Sequence, residues 1–321
     1  ERWWSAGMSD NGNVIAAVSN LFVGQGTGTL HVSTDGGATF STPIAAGRNW
    51  LASEVSGDGT TIVATTTKVT GDMPTMSISN DSGATWRSAD FGVSLLDVHV
   101  STNGQFIAAV DSNFGAGGNI YVSTNGGQTF TATAAPVANW QGIAGSADGT
   151  RLVAVSFDDG VYVSTNSGTS WTRAPGIGVT DWYRVDASAD GQRIVIGSAT
   201  NGGIQVSTDG GATWTARLPG VAINQISMSS DGQTVLLAVP GNELHLSTDG
   251  GANFAPVGGT AAWRAAAISS DGNRMVAGAN VVGGSALQLS GGNRTGVGIG
   301  GISGGGQGEM IELEYTGNGR F

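Results

Sequence analysis

One eight-residue pattern recurs six times along this chain of 321 residues. It reads Ser, any residue, Asp or Asn, any residue, Gly, any residue, a small polar residue, and then Trp or Phe, as in residues 33–40. Its third position is occupied by Asp35, Asp81, Asn125, Asn166, Asp209 and Asp249, at intervals of 46, 44, 41, 43 and 40 residues. A regular period in this range predicts an array of similar supersecondary units.

A second pattern, Ser-x-Asp/Asn-Gly, runs in step with the first. Its serines are Ser9, Ser56, Ser101, Ser146, Ser188, Ser229 and Ser269. In five of the seven copies, a tryptophan stands six residues before the serine: Trp3, Trp50, Trp140, Trp182 and Trp263. Seven copies predict seven repeats. The seventh lacks the first pattern, because Gly292 stands where its carboxylate is expected.

Both patterns are typical of tight turns. Asp-Gly and Asn-Gly dipeptides tolerate the positive φ angles of hairpins, and short polar side chains bond to nearby backbone amides. Short β-branched runs flank the turns, such as residues 161–164 and 193–196, and these predict strands. Each repeat is therefore expected to form four strands. The prediction is an all-β, seven-bladed β-propeller of four-stranded antiparallel blades.

The first pattern resembles the Asp-box, or BNR repeat, of sialidases, sortilin-type receptors, xyloglucan-cleaving glycosidases and photosystem-assembly propellers. The resemblance extends from Trp3 to about Ser290. It implies that the Asp-box turns are structural, on outer hairpins away from any active site. The resemblance therefore predicts the fold and leaves the function open.

The last residues differ in composition from the repeats. We expect residues 1–290 to form the propeller, and residues 291–321 to form a glycine-rich loop followed by a closing strand at 310–316. That strand is expected to be the outer strand of blade seven. The alternatives are that it pairs with another subunit or leads into a further domain, with the chain continuing beyond Phe321.

The composition restricts the partners. A net charge of −11 and a pI near 4.5 argue against nucleic acid and anionic membrane surfaces. No apolar run is long enough to span a bilayer, and the absence of cysteine excludes disulfides and thiolate metal sites. The Ser/Thr/Gly-rich, lysine-poor composition favours a bacterial protein that is secreted or on the cell surface, either extracellular or periplasmic.

Enzyme motifs are missing. Lys68 is followed by Val69, which excludes a phosphate-binding loop, and no histidine begins a His-Glu-x-x-His zinc motif. The resemblance implies that a sialidase needs three arginines, a Tyr–Glu pair and an Asp acid. The Arg-Ile-Pro segment of sialidases is absent. We therefore expect a non-enzyme without a cofactor, although acidic turns could bind calcium weakly.

The first strand of each repeat is expected to line the central channel. Residues two and four positions before each serine of the second pattern share one face of that strand. Charge concentrates at these positions, in Glu54, Asp97, His99, Arg184 and Asp186. Two interpretations remain open: a site for a polar ligand or a metal, or a solvated channel with ion pairs such as Asp186 with Arg184.

Four of the aligned tryptophans are candidates for an aromatic rim: Trp50, Trp140, Trp182 and Trp263. They start first strands on the face opposite the Asp-box turns. They are expected to pack between blades or, alternatively, to form stacking platforms for sugars. The same face carries the variable loops 20–29, 68–75, 111–119 and 157–160, where binding function is expected.

The leading functional hypothesis is a non-catalytic extracellular binding or assembly module. It would recognise protein or glycan partners through the loop face opposite the Asp-boxes. One alternative is a structural surface or filament subunit that self-associates through the C-terminal strand. The other is a glycoside hydrolase, for which Glu54 with Asp97 or Asp186 is the only carboxylate pair available.

Overall fold

A computed structural model of the chain describes residues 2–20, 28–44, 47–68, 74–111, 117–200, 202–281, 284–290 and 310–312. In these residues the regular secondary structure is entirely β. The first three sheets follow the chain order. They comprise β1 (Arg2–Met8), β2 (Ile15–Asn20) and β3 (Thr29–Ser33); β4 (Trp50–Val55), β5 (Ile62–Thr66), β6 (Met76–Ser79) and β7 (Arg87–Ala89); and β8 (Leu95–Val100), β9 (Ile107–Asp111), β10 (Ile120–Ser123) and β11 (Thr131–Ala132).

The next two sheets repeat the four-stranded antiparallel arrangement. They comprise β12 (Trp140–Gly145), β13 (Leu152–Ser156), β14 (Gly160–Ser164) and β15 (Thr172–Arg173); and β16 (Trp182–Ala187), β17 (Ile194–Ser198), β18 (Ile204–Ser207) and β19 (Thr215–Arg217). The last sheet has seven strands: β20 (Gln225–Met228), β21 (Val235–Ala238), β22 (Asn242–Ser247), β23 (Ala255–Ile268), β24 (Met275–Val281), β25 (Gly284–Ser290) and β26 (Met310–Glu312).

The all-β propeller is confirmed, but the predicted number of blades is wrong. Counted as hydrogen-bonded sheets, the described residues form six blades, not seven. The sixth and seventh sequence repeats share one sheet, because β23 pairs with β22 through its first half and with β24 through its second half. The other connections contain a strand breaker, Pro43, Asp90, Pro136, Pro175 or Pro219. In β23, Pro256 and Gly258, which has a φ of 69°, lie within the strand, and the pairing with β22 continues past them with a register shift between Asn242 and Leu244.

Two further strands differ from the four-stranded antiparallel prediction. The fourth strand of the first repeat is reduced to an isolated bridge between Val32 and Ser41. At the other end, β26 pairs with β25 in parallel, not antiparallel. The remainder of the predicted closing strand, residues 313–316, and the glycine-rich loop lie outside the described residues.

The strands are arranged radially, and the ring is closed at the second-pattern turns. The first strands of successive repeats contact each other in chain order, and β23 contacts β1. Backbone hydrogen bonds link the turns of all seven repeats in the described residues. The donors and acceptors are Asp10 to Gly57, Asp58 to Thr102, Thr102 to Ala147, Ala147 to Ala189, Ala189 to Ser230, Ser230 to Ser270, and Ser270 to Asp10, at 2.8–3.1 Å. The molecule is therefore closed by backbone contacts at this end of the channel.

The Asp-box turns have one repeated geometry. In the first copy, the Asp35 carboxylate accepts hydrogen bonds from Ser33 Oγ at 2.7 Å, Thr39 N at 2.9 Å and Thr39 Oγ1 at 2.6 Å. The Ser33 hydroxyl accepts one from Gly37 N at 2.8 Å, and Gly37 has a φ of 90°. The bonds to Thr39 lower the pKa of Asp35 to about 2. The carboxylate is thus occupied within its own turn.

Candidate functional site

The central channel holds a cavity of about 150 Å³ among the first strands. Four of the five predicted channel residues line it: Glu54 on β4, Asp97 and His99 on β8, and Asp186 on β16. All four are half-buried. The turns that close the ring also contribute to its wall, through residues such as Asp10 and Ser270. The structure therefore brings together side chains from three separate sheets.

Glu54 is the last but one residue of β4, the first strand of the second sheet. It has no hydrogen-bond or ion-pair partner among the described residues. Burial raises the pKa of Glu54 well above its usual value, and the nearby carboxyls of Asp186 and Asp97 raise it further. Since no cationic side chain offsets these two effects, Glu54 is held in conditions that favour its protonated form.

Asp97 and Asp186 each form a hydrogen bond that links their own sheet to the next one. Asp97 Oδ2 accepts a hydrogen bond from Ile143 N at 3.0 Å, and Asp186 Oδ2 accepts one from Met228 N at 2.8 Å. Burial raises the pKa of Asp97 to about 6, opposed by Arg184 and by the backbone bonds. Burial also raises the pKa of Asp186 to about 7. Both carboxyls therefore titrate near neutral pH.

His99 is neutral at pH 7 in this environment. Burial lowers its pKa to about 4, against a smaller opposing effect of the Ser146 carbonyl. Its Nε2 lies 3.2 Å from Ser146 O. A neutral imidazole that bonds to a carbonyl does so through its N–H, so the proton is on Nε2 and Nδ1 is left as an acceptor.

Arg184 does not line the cavity. Its Nε donates to Asn224 O at 3.0 Å, its NH2 group donates to the Tyr183 hydroxyl at 3.1 Å, and its guanidinium lies 3.9 Å from the centroid of the Tyr183 ring. In the described part of the chain it forms no ion pair with Asp186, so that suggested pair is not present. The residue is held by backbone and aromatic contacts.

The polar side chains of the channel share one arrangement that the sequence did not reveal. Besides the two aspartates, Ser5 Oγ accepts from Ser53 N at 3.2 Å and Ser227 Oγ accepts from Ile268 N at 2.9 Å. Each side chain thus bonds to the first strand of the following repeat. A first strand has a hydrogen-bonding neighbour on one side only, and these bonds satisfy its free edge. In the sequence, this arrangement is indicated only by hydrogen-bond acceptors that recur two or four residues before the serines of the second pattern.

The tryptophans proposed as a rim lie in the core. Trp50 and Trp140 are 0% exposed, Trp263 is 1% exposed and Trp182 is 3% exposed. The Trp140 ring meets the Tyr162 ring at 5.5 Å in an edge-on arrangement. Buried indoles present no face to a sugar, so the stacking-platform interpretation does not fit the structure.

A different apolar feature lies on the loop face. Among the described residues, three large hydrophobic side chains are exposed: Val137 at 63%, Val179 at 55% and Phe157 at 39%. Val137 and Val179 precede first strands and Phe157 follows a second strand, so all three lie at the strand ends opposite both turn patterns. Phe157 N also bonds to Asn139 O, which joins two of these connections. Of these three residues, only Phe157 lies in a loop that the sequence predicted to bind partners, residues 157–160.

A metal site and a membrane-spanning helix are both absent from the described residues. These residues contain no group of three or more His, Asp or Glu side chains arranged to hold a metal ion. They also contain no helix with the length and apolarity needed to cross a membrane. Parts of the predicted binding loops, at residues 21–27, 69–73 and 112–116, lie outside the described residues.

Comparisons with known proteins agree with the fold. A family model for the BNR/Asp-box repeat matches residues 205–216. Comparison with curated protein sequences gives no match. Similar solved structures include YCF48 from Cyanidioschyzon merolae, at 16% identity over 86% of this chain and 92% of that one, with a TM-score of 0.60. YCF48 bound to D1 peptide has 16% identity over 86% and 89%, with a TM-score of 0.61.

A third similar structure is the β-propeller domain of Cps50 (Swd1) from Myceliophteria thermophila. It has 12% identity over 90% of this chain and 96% of that one, with a TM-score of 0.66. At such identities the likeness concerns the fold alone. The match at residues 205–216 confirms that the chain contains a BNR/Asp-box repeat, as the sequence pattern indicated, and the similar structures agree with the propeller fold.

Proposed function

We propose that this protein is a non-catalytic binding or assembly module that engages a protein partner through its loop face. The observation that carries the proposal is the position of Val137, Phe157 and Val179, which are exposed on one face around the fourth sheet. Exposed apolar side chains on one face of a protein mark an interaction surface when they form a patch. We call these three residues the loop-face patch.

The surroundings of the patch favour a peptide with apolar and basic residues. Asp158 is exposed beside Phe157, and Asp159 is half-buried. An apolar centre with a charged border is the usual anatomy of a protein interface. The similarity to YCF48, which has been solved with a D1 peptide, supports a peptide as the type of partner.

A peptide selection tests this proposal. A phage-displayed peptide library is selected on the wild-type protein, and the enriched peptides are titrated against the variant V137S/F157S/V179S. The control is A38S/A84S/A212S, which changes three exposed alanines at Asp-box turns. We expect at least about tenfold weaker binding to the patch variant, as for the loss of interface anchors, and unchanged binding to the control.

Two results would overturn the proposal: no peptide is enriched, or the enriched peptides bind the patch variant as well as the wild type. A parallel glycan array separates the partner classes, because glycan binding without peptide enrichment would favour the glycan hypothesis instead. We further propose a secreted or cell-surface location, from the composition. Fractionation of the native host, with detection in the cytoplasm alone, would contradict that location.

A further inference from the structure

We propose that the channel cavity is a binding site for a small organic cation that carries a primary ammonium group. This inference is independent of the loop-face patch and involves different residues. It rests on Glu54, which has no partner in the described residues, on the acceptors around it, and on the absence of Lys and Arg among the described residues of the cavity wall.

Glu54 is the group that we expect to bind the ammonium. It is surrounded by protein, the surface it retains belongs to the cavity, and no described residue donates a hydrogen bond to it. Asp97 and Asp186 differ from it, because each has an oxygen bonded to a backbone amide of the next repeat. A carboxylate without a donor in a confined site is costly unless a ligand or a proton satisfies it.

Among the other polar groups of the wall, Asp97, Asp186 and the Nδ1 of His99 accept hydrogen bonds, whereas Gln225 and the serine and threonine hydroxyls can donate or accept. The Nδ1 of neutral His99 remains available as an acceptor, and the Asp97 carboxylate, which takes backbone hydrogen bonds from Ile143 and Val98, adds negative charge to the same wall. An ammonium group has three N–H donors and no acceptor, so it complements such a wall. Small residues such as Ala144 and Ala267 also line the wall, and a cavity of about 150 Å³ accommodates a small molecule or several waters.

A bare metal ion fits less well. The described residues contain no group of three or more His, Asp or Glu side chains arranged around a common point. A metal ion requires several oxygen ligands within about 2.6 Å. An ammonium group makes longer and less restrictive contacts, and it tolerates acceptors that are spread over separate sheets.

Binding should be coupled to proton release. The titratable groups facing Glu54 are Asp97 and His99 from β8, Asp186 from β16 and Asp10 after β1. The wall residues from β12, β20 and β23 include no titratable side chain. Burial raises the pKa of Asp97 to about 6 and that of Asp186 to about 7. A cation therefore competes with protons, and its affinity should increase from pH 5 to pH 8.

Isothermal titration calorimetry of the full chain tests the proposal with methylammonium as the probe. Tetramethylammonium serves as a cation without donors, calcium and magnesium chloride test for a metal, and sodium chloride controls for ionic strength. We expect methylammonium to bind at pH 8 with release of protons, measured in buffers of different ionisation enthalpy. We expect binding about tenfold weaker at pH 5, because most of the carboxyls then carry a proton.

The decisive variant is Glu54→Gln, with Glu243→Gln as the matched control outside the cavity. Because Glu54 has no internal partner, Glu54→Gln should fold, and circular dichroism verifies this. We expect methylammonium affinity to fall about tenfold in Glu54→Gln, as for the loss of one charged contact, and to stay unchanged in Glu243→Gln. Equal binding to both variants, no binding of methylammonium, or tighter binding of calcium or magnesium would overturn the proposal.

Discussion

Asp186 Oδ2 accepts a hydrogen bond from the backbone N–H of Met228 at 2.8 Å, across the boundary between the fifth and sixth sheets. The same carboxyl accepts one from Ala187 N at 2.7 Å through Oδ1. A channel carboxylate that resembles a functional acid in the sequence thus serves as a clamp between sheets. Burial raises the pKa of Asp186 to about 7 despite both bonds. The ionised carboxylate therefore destabilises the fold at alkaline pH.

The first prediction separates these two contributions of Asp186. Asp186→Asn keeps an acceptor for Met228 N and removes the charge, but its amide nitrogen then faces Ala187 N and that bond is lost, so its stability at pH 8 should be close to that of the wild type. Asp186→Ala leaves the amide without a partner and should be less stable than Asp186→Asn by about 1–3 kcal/mol. Urea unfolding of the three proteins measures the difference. Equal stability of the Ala and Asn variants would show that the bond to Met228 contributes nothing.

The second prediction concerns pH between 5 and 8. A carboxyl whose pKa is higher in the folded chain than in the unfolded chain stabilises the fold at low pH, and this stabilisation is lost as pH rises through the folded pKa. Asp97 titrates at about 6, Asp186 at about 7, and Glu54 is raised as well. His99, at about 4, and the lowered His245 act in the opposite direction.

The three carboxyls with raised pKa values should affect stability more than the two imidazoles with lowered pKa values. The melting temperature should therefore be higher at pH 5 than at pH 8. Differential scanning calorimetry in matched ionic strength measures this trend. In the variant Glu54→Gln/Asp97→Asn/Asp186→Asn, the trend should flatten or reverse, because the two histidines are then opposed by Asp10 and Asp111, whose pKa values burial raises, and no longer by the three channel carboxyls. A wild-type melting temperature that falls steadily from pH 8 to pH 5 contradicts the prediction.

The third prediction uses a comparison within the chain. Asn125 and Asn166 hold their turns as the aspartates do: Oδ1 accepts from the backbone N of Thr129 or Ser170, and Nδ2 donates to the hydroxyl. Asp209→Asn should therefore keep the fifth repeat's turn at pH 7, with the Thr213 hydroxyl accepting instead of donating. Asp209→Ala loses both contacts and should melt at a lower temperature than Asp209→Asn.

The same turns determine stability in acid. Hydrogen bonds lower the pKa of Asp35, Asp209 and Asp249 to about 2. A lowered carboxyl stabilises the fold above its unfolded pKa near 4, and this contribution is lost as pH falls toward 2. Replacing all three by Asn should reduce the loss of melting temperature between pH 4 and pH 2. An unchanged loss would mean that other groups cause the acid sensitivity.

The fourth prediction concerns Trp140, which is 0% exposed and packs against Tyr162. Trp140→Ala should lower the free energy of unfolding by about 3–5 kcal/mol, the usual cost of emptying a buried aromatic position. Val137→Ala, three residues earlier and exposed, should change it by less than about 0.5 kcal/mol. Denaturant unfolding distinguishes them. If Trp140→Ala remained as stable as the wild type, the indole would have to act outside the core.

The sequence predicted the repeats and much of the channel for one physical reason. Turn residues fix where each first strand ends, and counting back from the turn places Glu54, His99 and Asp186 at one level and Asp97 two residues earlier on the same face. It could not predict that β23 runs through two repeats, since Pro256, Gly258 and Gly259 are typical of a connection, and β23 passes them only through a shift in its pairing with β22. Nor could it show that Asp97 and Asp186 bond to the next sheet, because such contacts join residues 40 or more positions apart.

The last prediction is that the channel does not hydrolyse glycosides. Cleavage requires two carboxyl groups available to the substrate at a defined separation. Asp97 and Asp186 are bonded to Ile143 N and Met228 N, which leaves Glu54 as the only one of the three without a backbone partner. We therefore expect no turnover of sialosides, xyloglucan or chromogenic glycosides between pH 5 and pH 7. Release of product by the wild type that disappears in both Glu54→Gln and Asp186→Asn would establish the cavity as an active site.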